Sequence, residues 1–196
     1  MIKYLTIIPA RRNSQRIKRK NILKIKNKEL IRYTIESAIK SNSKKNIWVS
    51  SDDEKIKAIS KEYNINFFQR SKKTSSSSAS TESVIEELLL KKYGFDYDKK
   101  VENIIILQPT SPLRNFKHNR EAIKYFVKKK YDSIFSGYLS TEFIWKNENK
   151  LKSLSYDYKN RKTSQKLKSL LFENGAIYIF KTRGFKKQKN RLFGRI

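Results

Sequence analysis

At 196 residues, the chain has the length of one ordinary domain and is long enough to bury a hydrophobic core. It contains no cysteine and a single histidine, which excludes disulfides, a thiolate metal site, a cysteine nucleophile and a multi-histidine metal site. The formal net charge is +28, but the lysines are scattered along the whole chain, so we expect no specific nucleic-acid site. The N-terminal apolar run is too short for a membrane span, and we expect a cytoplasmic protein without a membrane partner.

Apolar runs alternate with amphipathic stretches along most of the chain. This alternation predicts an α/β fold with a Rossmann-like, mostly parallel sheet and flanking helices. The predicted elements are strand 4–9, helix 30–41, strand 46–50, helix 54–63, strand 64–68, helix 81–93, strand 101–107, helix 118–129 and strand 132–137. Residues 70–79 are nearly all Lys, Ser and Thr and are predicted to form a loop. The continuous apolar run at 101–107 predicts a strand at the centre of the sheet.

From residue 140 onward the pattern changes to short aromatic segments. Residues 143–146 and 176–180 are predicted as an antiparallel extension of the sheet, the second segment following a turn at Asn174 and Gly175. We therefore divide one compact domain into a core at 1–139, a small antiparallel extension at 140–181 and a basic C-terminal segment at 182–196.

A strongly basic segment directly follows the first predicted strand. Its cations are Arg11, Arg12, Arg16, Lys18, Arg19 and Lys20. Ligands of open parallel sheets bind beyond the carboxyl ends of the strands, and arginine forks with a lysine point charge suit triphosphate oxygens. The segment lacks glycine, which argues against a Walker or dinucleotide-binding loop, and Asn13 can adopt the left-handed conformation instead. The segment is thus a candidate anion site, with a merely solvated loop as the alternative.

Polar residues also follow three other predicted strands. Asp52 follows strand 46–50, Arg70 follows strand 64–68 and Gln108 follows strand 101–107. Because the carboxyl ends of parallel strands meet at one edge of a sheet, these side chains are candidates for the same site. Each has an alternative role, since Asp52 is suited to cap a helix, Arg70 to lie on the surface and Gln108 to cap its strand.

Five segments, taken in chain order, resemble the CMP-sugar-acid synthetases, the cytidylyltransferases that activate sialic and related nonulosonic acids. The segments are IIPARRNSQRIKRKN from residue 7, VSSDDEKI from 49, QRSKKTSSSSASTESVI from 69, LQPTSPLR from 107 and ENGAIYIF from 173. The resemblance covers nearly the whole chain. It implies a fold of the nucleotide-diphospho-sugar transferase type, with the core binding nucleotide and the extension serving dimerisation and the acceptor side. The implied reaction transfers CMP from CTP to a sugar acid and releases pyrophosphate.

The resemblance also implies the residues of the site. The CTP-binding residues that it implies are Ala10, Arg11, Asn13, Ser14, Lys20, Asn21, Arg70, Ala79 and Thr81. The acceptor-binding residues that it implies are Gln108, Lys146, Asn174 and Tyr178. Those that it places at the chemical step, as catalytic residues, are Arg11, Lys20, Asn21 and Gln108. Attack on the α-phosphorus needs positioning and charge neutralisation more than covalent help, and a glutamine cannot act as a general base.

The chain departs from the pattern of the family at four places. Lys18 stands where the family has a proline, Ser77 where it has an aspartate, and Ser164 where an arginine for the acceptor carboxylate is expected, with Arg161 and Lys166 nearby. The aspartates that hold Mg²⁺ in the family belong to a segment beyond residue 196, so we expect a chain cut short there, with no metal ligand assigned within it.

The expected partners are CTP and a nonulosonic acid, the expected cofactor is Mg²⁺, and the resemblance implies a homodimer. The string ENGAIYIF fits the sialic and legionaminic branches better than the pseudaminic or octulosonic branches. Two other classes stay open. One is a degenerate or truncated CTP-binding module without catalysis, and the other is a basic nucleic-acid-binding protein, which steep salt-dependent DNA binding would reveal.

Overall fold

The computed structural model describes residues 1–13 and 17–196. Its strands are β1 (Ile2–Pro9), β2 (Lys24–Ile25), β3 (Lys28–Glu29), β4 (Ile47–Ser51), β5 (Asn66–Gln69), β6 (Val101–Leu107), β7 (Ser133–Ser140), β8 (Trp145–Asn147), β9 (Leu151–Ser153) and β10 (Leu170–Lys181). Its α-helices are α1 (Leu30–Ile39), α2 (Glu54–Glu62), α3 (Lys72–Ser75), α4 (Thr81–Tyr93), α5 (Tyr97–Lys100), α6 (Phe116–Lys129) and α7 (Thr182–Gln188). Single turns of 3-10 helix lie at Lys20–Ile22, Lys44–Asn46, Tyr158–Asn160 and Ser164–Lys166.

Six strands form one sheet in the order β5-β4-β1-β6-β10-β7. Strand β1 is parallel to β4 and β6, β4 is parallel to β5, and β10 is antiparallel to β6. The predicted α/β class with a mostly parallel sheet is therefore confirmed. So is the central position of β6, which lies between β1 and β10.

Successive residues of β1 face opposite sides of the sheet and pack against different helices. Ile8 belongs to an apolar cluster with residues of α1, α2 and α6, whereas Ile7 belongs to a cluster with residues of α4, α5 and α7. Both isoleucines are fully buried. Burying apolar side chains on both faces is the reason that the strands read as continuous apolar runs in the sequence.

Helices α2, α3, α4 and α6 follow residues whose side chains accept hydrogen bonds from the first turn. Ser80 caps α4 by accepting from the Ser83 amide at 3.1 Å, and Asn115 with His118 forms a capping box on α6. Asp53 caps α2, accepting from the Lys55 amide at 2.9 Å. The expectation that Asp52 caps this helix is wrong by one residue, because Asp52 instead accepts a hydrogen bond from the amide of Arg12, in the segment that follows β1.

The chain divides into two compact units, residues 1–135 with 175–196 and residues 136–174. The first unit contains the α-helices and the parallel strands of the sheet. The second contains the β8–β9 ribbon and an aromatic cluster in which the rings of Phe143 and Tyr156 lie 4.8 Å apart and those of Trp145 and Tyr158 lie 5.3 Å apart. The predicted extension at 140–181 shares residues 140–174 with the second unit, while residues 175–181 belong to the first.

Two predicted features are wrong, and the helices α5 and α7 were not foreseen. Residues 70–79 contain the short helix α3, which is capped by Ser71 and held by hydrogen bonds to Glu87 of α4. Asn174 and Gly175 form no turn but lie inside β10, where Gly175 has a φ of +71° that a glycine tolerates. The basic segment at 182–196 begins with α7. None of the helices among the described residues combines the length and the apolarity needed to cross a membrane.

Candidate functional site

A cleft of about 300 Å³ lies in the first unit, at the carboxyl ends of β1, β5 and β6. Its lining residues are Pro9, Arg11, Lys20, Asn21, Arg70, Ser77, Ala79, Ser80, Thr81, Val84, Gln108, Pro109 and Thr110. Among the described residues, this lining includes three cationic side chains and no carboxylate. The cleft is thus electropositive and occupies the edge of the sheet at which open α/β folds bind ligands.

The segment after β1 is held to the walls of the cleft by hydrogen bonds. The buried side chain of Asn21 donates to the carbonyl of Arg11 at 3.0 Å. The guanidinium of Arg11 in turn donates to the carbonyl of Ser77 across the cleft, also at 3.0 Å. The amide of Arg12 donates to Asp52 at 2.7 Å. These contacts keep the backbone on either side of Arg11 in place, so its guanidinium is presented to the cleft.

Arg19 anchors the other end of the basic segment. Its guanidinium lies 3.1 Å from the carboxylate of Asp53, which is 2% exposed and also caps α2. Arg19 has a left-handed backbone conformation, with a φ of 52°. From the sequence, Asn13 was the residue of this segment considered for that conformation. This conformation is uncommon for an arginine, and the ion pair with Asp53 accompanies it. Lys20 follows directly and lines the cleft.

Arg70 is buried at the base of the cleft, with 8% of its surface exposed, so the surface alternative for this residue is wrong. Its guanidinium donates to the hydroxyl of Ser50 at 3.1 Å and to the carbonyl of Ser50 at 2.9 Å. Burial lowers the pKa of Arg70 to about 10, with Asp52 opposing this effect and Arg11 adding to it. The guanidinium is therefore charged at neutral pH. A buried cation that bonds only neutral oxygens is suited to receive an anion.

The wall opposite the basic segment is formed by residues 71–81. The carboxylate of Glu87, on α4, accepts hydrogen bonds from the Ser71 amide at 3.3 Å and from the Thr74 hydroxyl, and it pairs with Lys91. Burial raises the pKa of Glu87, but the hydrogen bonds outweigh burial and hold this pKa below its ordinary value. The segment that carries Ser77 and Ala79 is thereby fixed to α4. The first turn of this helix also lines the cleft, and the positive end of its dipole favours an anion there.

The remaining predicted residues lie in several different places. Ala10 is buried and donates its amide to the Ser50 carbonyl at 2.9 Å, and Asn13 is exposed. Ser14 lies outside the described residues. Tyr178 is buried on β10 with the guanidinium of Arg191 4.7 Å from its ring centre, and it is not among the described lining residues.

Two predicted acceptor-side residues and a candidate substitute belong to the second unit. Lys146 pairs with Glu148 at 2.7 Å, and Asn174 accepts a hydrogen bond from the Ser136 hydroxyl at 2.6 Å. The guanidinium of Arg161 lies over the ring of Phe143 at 4.3 Å. Contacts within this unit therefore hold each of the three side chains.

The sequence profile of the family described as cytidylyltransferase matches residues 5–192. The chain belongs to the cytidylyltransferase family. Its cleft combines the basic loop, Arg70 and Gln108, which the resemblance to this family placed together. An N-acylneuraminate cytidylyltransferase from Escherichia coli is 36% identical over 135 residues, which is 68% of this chain and 31% of that protein. A relative of the same name from Streptococcus agalactiae is 30% identical over 201 residues, covering 96% of this chain and 46% of that protein.

A pseudaminic acid cytidylyltransferase from Campylobacter jejuni is 33% identical over 189 residues, covering 91% of this chain and 78% of that protein. This cytidylyltransferase chain thus spans less than half the length of the two N-acylneuraminate enzymes and more than two thirds of the pseudaminic one. A solved structure of CMP:2-keto-3-deoxy-manno-octonic acid synthetase complexed with CTP has a TM-score of 0.68 at 16% identity, covering 99% of this chain and 80% of that one. That likeness supports the fold.

The cytidylyltransferase resemblance implies Mg²⁺, which is bound by oxygen ligands, above all carboxylates. Among the described residues, the cleft lining includes no Asp or Glu, and no group of three or more His, Asp or Glu side chains is placed to hold a metal ion. The residues present therefore do not fit a protein-held Mg²⁺ site.

Two lining residues of the cleft, and one residue behind it, were not singled out from the sequence. Ser80 and Thr110 are neighbours of the predicted Thr81 and Gln108, so their place beside matched positions was the signal available. Arg114 ends the string LQPTSPLR and is 5% exposed behind Gln108. Nothing in the sequence distinguishes it from a surface arginine.

Proposed function

We propose that this protein transfers CMP from CTP to a nonulosonic sugar acid and releases pyrophosphate. The observation that carries the proposal is the convergence of Arg11, Lys20 and Arg70 with Gln108 in one cleft. The three cations come from two segments far apart in the chain, and Arg11 and Lys20 of the first segment suit the oxygens of a triphosphate. Membership of the cytidylyltransferase family makes CTP the expected nucleotide.

The chemistry that these residues support is an in-line displacement. A hydroxyl oxygen of the sugar acid bonds to the α-phosphorus, the bond from that phosphorus to the bridging oxygen breaks, and the hydroxyl proton is lost to solvent or base. Negative charge builds up on the departing pyrophosphate, so Arg11 and Lys20 stabilise the transition state. Gln108 cannot remove the proton at neutral pH, and its role is to orient the acceptor.

The proposed CTP-binding residues remain those that the resemblance implied. Arg11, Lys20 and Asn21 hold the triphosphate, while Arg70, Ala79 and Thr81 hold the ribose and the base. Six of these residues line one cleft, which supports the assignment. Asn21 is bound to the Arg11 carbonyl, so its contribution includes shaping the loop. Lys146, Asn174 and Tyr178 stay proposed acceptor residues.

The proposed acceptor is a sialic- or legionaminic-type acid. Relatives named for N-acylneuraminate and for pseudaminic acid both match the chain at 30% identity or more, which supports a nonulosonic acid in general. The string ENGAIYIF at 173–180 is the reason for preferring the sialic-type branch.

The test is pyrophosphate release by this chain with CTP and a panel of nonulosonic acids, each assayed with Mg²⁺ and with a chelator. We expect release that depends on a sialic- or legionaminic-type acid. CTP binding measured by calorimetry serves as the second readout. Binding of CTP without release for any acceptor would leave the degenerate CTP-binding module as the function of this chain. The absence of both would overturn the proposal.

We further propose that the second unit supplies the surface of a homodimer. Apolar side chains in this unit are largely exposed, with Leu139 at 70%, Leu151 at 66% and Leu171 at 58%. Apolar side chains gathered in one small unit mark an interaction surface more often than a solvated one.

A further inference from the structure

Arg114 is a buried arginine that bonds three separate elements of the first unit. It follows β6, and 5% of its surface is exposed. Its Nη1 donates to the carbonyls of Gln108 at 3.1 Å and Ala176 at 2.9 Å, and its Nη2 donates to the hydroxyl of Thr34 at 2.7 Å. One guanidinium thus links the end of β6, the strand β10 and the helix α1.

No carboxylate of the described residues lies beside the charge of Arg114. Burial is the cause that lowers its pKa to about 10, with no carboxylate of the described residues contributing. The side chain is therefore a cation at neutral pH, bonded to neutral oxygens only. Burying an unpaired charge destabilises a fold, so an apolar side chain would fill this space at lower cost. The arginine supplies something else, namely a fork that fixes carbonyls in position.

The carbonyls that it fixes belong to neighbouring strands just beyond their last pair. Leu107 of β6 lies opposite Ile177 of β10, and Gln108 and Ala176 are the next residues outward. Because the Nη1 of Arg114 bridges these two carbonyls, the backbone of Gln108 is tied to β10 at the mouth of the cleft. A strand end would otherwise be free to fray at this point.

A second contact limits the side chain of Gln108. A Cβ atom on Gly175 would lie 3.0 Å from the Oε1 of Gln108, closer than ordinary van der Waals contact, so the carboxamide rests directly against the glycine backbone. Gly175 also has a φ of +71°, which other residues adopt only with strain. Gly175 thus supplies the room that the Gln108 side chain occupies.

We propose that Arg114 is a positioning residue for the transfer reaction, which acts by holding Gln108 in the orientation that Gly175 leaves open. This inference rests on the proposed function, in which Gln108 orients the acceptor. Arg114 itself lies behind the cleft and is not among its described lining residues.

The variants are Arg114→Lys, which keeps the charge but loses the fork, and Thr34→Val, which removes only the acceptor of the second nitrogen. Arg120→Lys is the matched control, since Arg120 is exposed on α6 and donates to the Lys40 carbonyl. We expect Arg114→Lys to lower kcat by about 10- to 100-fold, because misplacing a group that orients the substrate by about 1 Å costs up to about 100-fold. The Kd for CTP stays within about twofold, and Thr34→Val shows a smaller loss in the same direction.

The decisive comparison repeats Arg114→Lys in a Gln108→Ala background. If Arg114 acts through Gln108, adding Arg114→Lys to the Gln108→Ala variant lowers kcat by less than about threefold, because the side chain that Arg114 positions is already absent. Losses that multiply in full would overturn the proposal and leave Arg114 a merely structural residue.

A readout without turnover keeps the inference separate from the proposed function. The side-chain amide signals of Gln108, identified in a ¹⁵N spectrum by their loss in Gln108→Ala, report its orientation directly. We expect them to shift or broaden in Arg114→Lys and in Thr34→Val, and to stay unchanged in Arg120→Lys. Unchanged Gln108 signals in a folded Arg114→Lys protein would refute positioning, whereas a wild-type protein without turnover would refute only the proposed function.

Discussion

Replacing Arg70 with methionine separates the cost of burying a cation from its use in binding. Burial lowers the pKa of this guanidinium to about 10, and at 1.36 kcal/mol per pH unit the cost of keeping it charged is about 3 kcal/mol. Its two hydrogen bonds to Ser50 return about 1.5 kcal/mol each, so the two effects nearly cancel. The Ser50 carbonyl also accepts from the Ala10 amide and is not left unpaired in the variant. We therefore expect the free energy of unfolding of Arg70→Met to lie within about 1 kcal/mol of that of the wild type.

The same substitution should weaken CTP binding strongly. A charge-assisted hydrogen bond to the ligand contributes about 1.5–3 kcal/mol, so the Kd rises by about 10- to 150-fold. Urea denaturation measures the first effect and calorimetry the second, with Arg183→Met as the control because it removes the same charge from an exposed position on α7. A loss of several kcal/mol in unfolding free energy would refute the account of burial. An unchanged Kd would show that Arg70 does not contact the nucleotide.

Two further predictions concern the wall of the cleft and the second unit. Glu87→Gln should lower the free energy of unfolding by about 1–2 kcal/mol at pH 7, since the carboxylate bonds Ser71 and Thr74. The folded pKa of Glu87 lies below its ordinary 4.5, so this contribution is present above about pH 4.5 and disappears as the pH falls through the lowered pKa. Urea denaturation across this range should show the difference shrinking, and a difference that stays constant would contradict this account. Leu139→Glu should shift a dimer to monomer in light scattering without unfolding it, and a monomeric wild type would contradict the proposed interface.

The regular elements could be predicted because their signals are local. The apolar run of β6 and the helical spacing of Val84, Ile85, Leu88 and Leu89 in α4 gave the bounds that the structure shows. The location of the site could also be predicted, because the loops that follow parallel strands meet at one edge of the sheet.

The failures came from contacts distant in the sequence. Helix α3 has no apolar periodicity, and it depends on Glu87, which lies 16 residues beyond Ser71. Asn174 and Gly175 are typical of a turn, yet the strand continues through them because Gly175 faces Gln108. Arg114 bonds Thr34, 80 residues away, and no local pattern signals such a partner.

The position of β10 has a consequence for biosynthesis. Among the six described strands of the sheet it comes last in chain order, yet it lies between β6 and β7, so neither of these neighbours can complete its pairing until residue 181 has been synthesised. Until then one edge of β6 is unpaired, and this edge includes the apolar residues 104–107. Such an edge is a template for pairing with another chain. Prematurely terminated copies of this protein would therefore depend on chaperones or proteases to avoid aggregation.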